Sequence, residues 1–196
     1  MVQNLDQHFA ELCDHIQHPD FLNNQGLSNE VSYYIFPYDA KDAPQLRLKI
    51  DELKHQPLSQ KINLKFVDLY DVMIDSIEKL KGIADKDPIE MVEEMEKRDG
   101  FDMVAQQIND LMEMDKEENS VVQYTQHVIN KESCVVFITG VGRVFPIIRA
   151  HKVLNTMQQR IDNVPIVIFY PGQYDELSLR IFNEAQDQNF YRAFPI

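Results

Sequence analysis

Two glycine-containing segments in the last third of the chain are the places where chemistry is most expected. The first, GVGR, spans residues 140–143 and follows the apolar run SCVVFIT, and the second, PGQY, spans residues 171–174 and follows PIVIFY. Continuous apolar runs of this kind are typical of parallel strands that are buried on both faces. Because ligands of such sheets bind beyond the carboxyl ends of the strands, both segments are predicted to border one crevice.

Arginine and tyrosine side chains gather around this predicted crevice. Arg guanidinium groups bind carboxylates or phosphates and Tyr rings add flat contact area, so the combination is typical of protein and nucleic-acid contacts. The alternative is that the arginines cap helices or form ion pairs within the fold. The candidate partner- or ligand-binding residues are Gly140, Gly142, Arg143, Arg149, His151, Tyr170, Gly172, Tyr174, Tyr191 and Arg192.

Neither common phosphate-binding loop is complete at residues 140–145. A P-loop requires Lys followed by Ser or Thr after its last glycine, and no such pair follows Gly142. The dinucleotide pattern requires a third glycine at the position that Phe145 occupies. The glycines therefore indicate a tight turn from strand to helix, while nucleotide binding stays open as a second interpretation.

The histidines give little indication of a metal or catalytic site. His15 and His18 lie three residues apart on a predicted helix, but Pro19 disrupts its end and no second pair of ligands follows. His151 borders the predicted crevice without a Ser or Cys at a nucleophile elbow. We therefore predict no catalytic residues, no bound metal, no cofactor and no enzymatic activity, with a hydrolase of unrecognised type as the remaining alternative.

Composition limits the class of protein and its compartment. The chain has 196 residues, 44% of them hydrophobic and 26% charged, which suits one domain with a substantial core. Its longest apolar run is far shorter than the roughly 20 residues that cross a membrane. The N-terminal sequence shows no secretory signal, and Cys13 and Cys134 lie far apart, so a reduced, cytoplasmic protein is predicted.

Negative charge is concentrated in the middle of the chain. The net charge is −13, and residues 68–118 alone hold 17 acidic and 6 basic residues. This block is expected to repel nucleic acid and anionic membranes. It indicates either a solvated helical face or a docking surface for a basic partner.

The hydrophobic periodicity predicts a single α/β domain over residues 1–196. Its core is a mostly parallel open sheet of about five strands flanked by helices, with a helical acidic insertion at about residues 71–130. The predicted strands cover residues 31–38, 62–70, 133–139, 165–170 and the tail from 190, and the predicted helices cover residues 5–17, 43–54, 145–160 and 177–182.

Local signals mark the helix ends in the acidic insertion. Asp71 is expected to cap a helix, residues 87–88 to begin another, and Gly100 to end it. Glu93 and Lys97, like Glu94 and Arg98, are four residues apart in the favourable order, so both are expected to form ion pairs.

Several segments of the last third resemble one known protein family. FITGVGRVFPIIRAHKVLN (137–155), PIVIFYPGQYD (165–175), LRIF (179–182) and NFYRAF (189–194) strongly resemble the BrxB family. That family is the small component of bacteriophage exclusion (BREX) systems in bacteria. The likeness is dense over residues 134–196, and the earlier part agrees in length and element order.

The resemblance implies a cytoplasmic part of a phage-defence complex. Such systems combine a DNA adenine methyltransferase, a large ATPase and an alkaline-phosphatase-like protein called PglZ. The resemblance brings no catalytic residue with it. The prediction is thus a non-catalytic adaptor that binds a larger subunit of the system. PglZ is the first candidate partner, and the ATPase and the methyltransferase are the next candidates. The alternative is a nucleotide- or RNA-binding module that uses residues 140–143 and the nearby Arg and Tyr residues.

Overall fold

A mostly parallel sheet, which has seven strands in the part of the chain that the structure describes, organises the fold. The five strands β1, β2, β3, β4 and β7 run parallel in the order β2-β3-β4-β1-β7, and β5 and β6 extend antiparallel from β4. The computed structural model describes residues 4–22, 33–82, 86–174, 179–182, 185–187 and 193–196. The strands are β1 (Tyr33–Tyr38), β2 (Leu64–Asp68), β3 (Val135–Thr139), β4 (Ile166–Tyr174), β5 (Leu179–Ile181), β6 (Ala185–Asp187) and β7 (Phe194–Pro195).

Helices cover both faces of the sheet, as its continuous apolar strands require. The helices are α1 (Leu5–His15), α2 (Pro19–Leu22), α3 (Ala43–Lys54), α4 (Pro57–Lys61), α5 (Leu69–Glu78), α6 (Pro88–Asp99), α7 (Phe101–Leu111), α8 (Ser120–Ile129), α9 (Val141–Val144) and α10 (Ala150–Arg160). Among the described residues, no helix is long and apolar enough to cross a membrane.

Two hydrophobic cores lie on opposite faces of the sheet. Along β3, Val136 and Ile138 belong to one core, whereas Val135 and Phe137 belong to the other. All four side chains are fully buried. Burying an aliphatic or aromatic side chain stabilises a fold by about 1.5 to 3 kcal/mol. The side chains of β3 therefore stabilise the cores on both faces of the sheet. The predicted parallel sheet with helices on both faces is confirmed.

The acidic helical segment forms the crossover from β2 to the neighbouring strand β3. Val104 and Ile108 of α7 are buried in the core that also holds Ile138. The buried side chain of Asn119 joins this segment to α10. Its Oδ1 accepts from the backbone N–H of Val122 at the start of α8 (3.1 Å), and its Nδ2 donates to Thr156 Oγ1 (2.9 Å).

Two local predictions in this segment are wrong. Asp68, not Asp71, caps α5, because it stands where β2 ends and its Oδ1 accepts from the backbone N–H of Tyr70 at 2.9 Å. The predicted ion pairs Glu93–Lys97 and Glu94–Arg98 are absent, and Glu94 and Arg98 each have a closer partner. Lys86 Nζ lies 2.8 Å from Glu94, and Arg98 pairs with the adjacent Asp99.

The predicted helix at 177–182 is also wrong in its described part. Residues 179–181 form β5, which pairs antiparallel with residues 172–174 of β4, so the PGQY segment continues the strand that it was expected to follow. In this pairing the backbones of β4 and β5 approach so closely that a Cβ at Gly172 would collide with the Arg180 carbonyl. Glycine at position 172 therefore permits the strand pairing that replaces the predicted helix. Residues 177 and 178 lie outside the described residues, as does the first part of the predicted tail strand.

Candidate functional site

Asp68 is the central side chain at the carboxyl edge of the sheet. It ends β2, beside the end of β3, and its carboxylate is about one-quarter exposed. Its Oδ1 accepts from the Tyr70 amide, and its Oδ2 accepts from Thr139 Oγ1 at 3.0 Å. One carboxylate thus starts α5 and joins the ends of two neighbouring strands.

Arg143 completes this cluster from the turn after β3. Its Nη1 lies 3.3 Å from Asp68 Oδ2, and its guanidinium carbon lies 4.0 Å from the centre of the Tyr70 ring. The guanidinium cation interacts favourably with the face of the Tyr70 ring, and its positive charge attracts the negative Asp68 carboxylate. Arg143 therefore pairs within the fold, as the alternative interpretation of the arginines predicted, while 38% of its side chain stays exposed.

The glycines at this edge allow the close packing of neighbouring segments. Gly140 has a φ of 79°, and a Cβ there would collide with the Asp68 carboxylate. A Cβ at Gly142 would lie 3.0 Å from Pro171 Cγ and 3.3 Å from the Phe182 ring. The two segments singled out in the sequence therefore meet at one edge, but side chains of the protein itself fill the contact between them.

The other candidate residues lie around this cluster in different environments. Arg149 precedes α10, is exposed and forms no ion pair with any described residue. His151 is half-buried in the first turn of α10, while Tyr170 is buried. The Tyr174 hydroxyl donates to the Ala193 carbonyl at 2.6 Å. Tyr191 and Arg192 lie outside the described residues.

Sequence reasoning missed the side chains that build this edge from β1, β2, β3 and the start of α5. These are Tyr38, Asp68, Tyr70 and Thr139. Burial, and then the negative charge of Asp68, raise the pKa of Tyr38 to about 12, so its phenol is neutral at physiological pH. A signal was available, because Tyr38 stands at the end of the first predicted strand and Asp68 near the end of the second, and functional side chains concentrate at the carboxyl ends of parallel strands.

The Asp68 carboxylate makes the turn at residues 140–143 a poor phosphate site. A phosphate bound against the Gly140 amide would face this negative charge across the turn. The helix that follows, α9, is only four residues long, so it adds little dipole. The cluster instead joins strands and helices, while the guanidinium groups of Arg143, in part, and of Arg149 stay exposed.

The N-terminal histidines pack against aromatic rings. The His15 ring lies 6.4 Å from the His18 ring and 5.4 Å from the Phe21 ring. Within the described ranges, no three His, Cys, Asp or Glu side chains are grouped to hold a metal ion. Cys13 and Cys134 are free thiols, and burial raises the pKa of both.

Replacing Arg143 with alanine is expected to lower the free energy of unfolding by about 1 kcal/mol. The variant loses a partly exposed ion pair and a cation–π contact, each of which contributes modestly. Urea unfolding of both proteins measures the difference. Arg149→Ala serves as the matched control and should stay within about 0.5 kcal/mol of the parent. Equal effects of the two substitutions would contradict the assigned role of Arg143.

Comparison with known proteins gives one consistent family. A family model described as "BREX protein BrxB" matches residues 65–196. A BREX protein BrxB of Bacillus cereus (strain H3081.97) is 35% identical over 196 residues, which are 100% of this chain and 98% of the relative. A BREX protein BrxB of Escherichia coli O9:H4 (strain HS) is 25% identical over 192 residues, covering 97% of this chain and 90% of the relative. No solved structure matches the chain.

Proposed function

Because this chain belongs to the BrxB family of BREX proteins, we propose that it is a non-catalytic adaptor in a phage-defence complex. In this proposal it works in the cytoplasm and binds a larger subunit of the same system. PglZ is the first candidate partner, and the large ATPase and the methyltransferase follow.

The observation that carries the proposal is the filled carboxyl edge of the sheet. Enzymes with such sheets bind substrate beyond the strand ends. Here Asp68 engages Tyr70, Thr139 and Arg143, so the polar groups at this edge satisfy one another. Pro171 and Phe182 pack against Gly142 beside them. This arrangement favours a stable scaffold over a substrate cleft.

The exposed part of this edge supplies contacts for a partner in this proposal. Arg149 offers a planar guanidinium for a carboxylate, and protein interfaces are enriched in Arg and Tyr. We include the exposed part of Arg143 and the half-buried His151 and Tyr174 in the same proposed contact. Tyr191 and Arg192 are proposed to extend it from outside the described residues.

Capture of individual subunits tests the adaptor function. The full chain, carrying an affinity tag, is mixed separately with purified PglZ, with the ATPase and with the methyltransferase. We expect at least one subunit to be retained, and Arg149→Ala to reduce its retention. Loss of binding to all three subunits contradicts the proposal, and turnover of a substrate by the isolated chain would contradict its non-catalytic part.

The nucleotide- or RNA-binding alternative has weaker support. It needs the turn at residues 140–143 to hold a phosphate beside the Asp68 carboxylate, which disfavours it electrostatically. It also needs Arg143 to leave Asp68 and Tyr70. Salt-sensitive binding of RNA or ATP that Arg143→Ala weakens would favour this alternative over the adaptor.

A further inference from the structure

We propose that the hairpin of α6 and α7, residues 88–111, docks a basic amphipathic helix of a partner protein. We call residues 88–111 the acidic hairpin. The inference rests on the proposed adaptor function and adds a surface and a partner chemistry to it. This hairpin exposes large apolar side chains, holds carboxylates without an ion pair among the described residues, and buries little of α6.

The acidic hairpin exposes large apolar side chains. Met91 is 36% exposed, Phe101 is 41% exposed and Met103 is 43% exposed. Covering such side chains with a partner is favourable, and flexible Met side chains adapt to the irregular apolar face of a helix. The other exposed large apolar side chains of the described residues, Leu48 and Phe194, lie apart on α3 and β7.

The charge of the acidic hairpin selects a basic partner. Residues 88–111 hold seven acidic and two basic residues, a net charge of −5. Arg98 pairs locally with Asp99, and Glu94 pairs with Lys86 outside the hairpin. Several exposed carboxylates form no ion pair within the part of the chain that the structure describes. They belong to Glu90, Glu93, Glu96, Asp102 and Asp110.

The packing of the acidic hairpin leaves its outer side available. Pro88 is the one buried residue of α6, whereas Val92 and Met95 pack only partly against the core. In α7, Val104 and Ile108 are buried and so account for its inner side. The exposed groups of the acidic hairpin therefore include both apolar side chains and acids. A helix with an apolar stripe between Lys or Arg residues is complementary to such a surface.

A synthetic peptide tests this surface without any partner subunit. The probe is a fluorescent Leu/Lys amphipathic helix of about 14 residues, roughly 21 Å long, so that it covers the roughly 18 Å of α6. A scrambled peptide of equal composition lacks the apolar face. Anisotropy titration of the full chain gives Kd for both peptides.

Paired variants separate apolar contact from charge. Met91→Ser with Met103→Ser removes apolar area at constant charge, and Leu48→Ser is its control. Glu93→Gln with Glu96→Gln removes charge, and Asp14→Asn with Glu52→Gln, on α1 and α3, is its control. We expect each hairpin variant to raise Kd about tenfold, equivalent to about 1.4 kcal/mol, and each control to change it less than twofold.

The outcomes distinguish this surface from the adaptor function as a whole. Absence of peptide binding, equal affinity for the scrambled peptide, or an unchanged Kd in the Met91/Met103 variant overturns the docking surface. If a BREX subunit is nevertheless captured, the adaptor function stands and another surface carries it. If the peptide binds as expected but no subunit is captured, the docking surface is supported and the proposed adaptor function is contradicted.

Discussion

Replacing Gly172 with alanine should lower the free energy of unfolding by about 3 kcal/mol. The added Cβ would collide with the Arg180 carbonyl, so β4 and β5 would have to separate or shift. Chemical denaturation measures the global loss. Hydrogen exchange reports the local one, because the Phe182 amide donates to the Pro171 carbonyl at 2.9 Å and should lose its protection.

Gly82 provides the matched control for this substitution. Its φ is 84°, and a Cβ there would have nothing within 4 Å. Gly82→Ala therefore measures the cost of a left-handed backbone conformation without any collision, about 1 kcal/mol. A Gly172→Ala protein that is as stable as Gly82→Ala and keeps the Phe182 amide protected would contradict the close pairing of β4 with β5.

Replacing Asp68 with alanine should lower the free energy of unfolding by about 2 to 3 kcal/mol. The variant loses the cap of α5, the hydrogen bond from Thr139 and the ion pair with Arg143. Asp68→Asn keeps an acceptor for the Tyr70 amide and loses the charge, so it should cost about 1 kcal/mol. Urea unfolding of both variants measures the difference.

Asp71 and Arg143 supply the controls for Asp68. Asp71 is exposed in the first turn of α5, so Asp71→Ala should change stability by about 0.5 kcal/mol or less. The double variant Asp68→Ala with Arg143→Ala should be more stable than the sum of the two single effects implies. Each single substitution removes the same ion pair, so its loss is counted twice in that sum. Equal effects of Asp68→Ala and Asp71→Ala would refute the assigned cap.

The sheet could be predicted because its strands are apolar throughout. Val135 to Ile138 are buried on alternating faces, so each residue must be apolar, and the run identifies a covered parallel strand. The bounds of α3 were also predicted, because its apolar spacing starts near Pro44 and ends before Pro57. Periodicity and proline position are local properties that the sequence displays directly.

The pairing of Asp68 with Arg143 could not be predicted in the same way. The two residues are 75 positions apart, and their contact depends on β2 lying next to β3. Hydrophobic periodicity identifies strands but does not order them. The β4–β5 pairing could not be predicted for a similar reason. The short segment at 179–181 has helix-like local spacing, but it takes its conformation from the neighbouring strand β4.

Two surfaces of different charge follow from this architecture. The carboxyl edge carries the exposed Arg149, and the acidic hairpin carries exposed Met91 and Met103 together with carboxylates that form no ion pair with any described residue. Asn109 of α7 connects the two regions, because its Nδ2 donates to the Ile147 carbonyl at 2.6 Å near the start of α10.

The most direct test of the adaptor function is the mass of the mixtures that it should form. The chain is mixed with PglZ and, separately, with the BREX ATPase, and each mixture is analysed by size-exclusion chromatography with light scattering. We predict a stable complex of one-to-one or higher stoichiometry in at least one mixture. Elution of every protein at its own mass in both mixtures would contradict the proposed function.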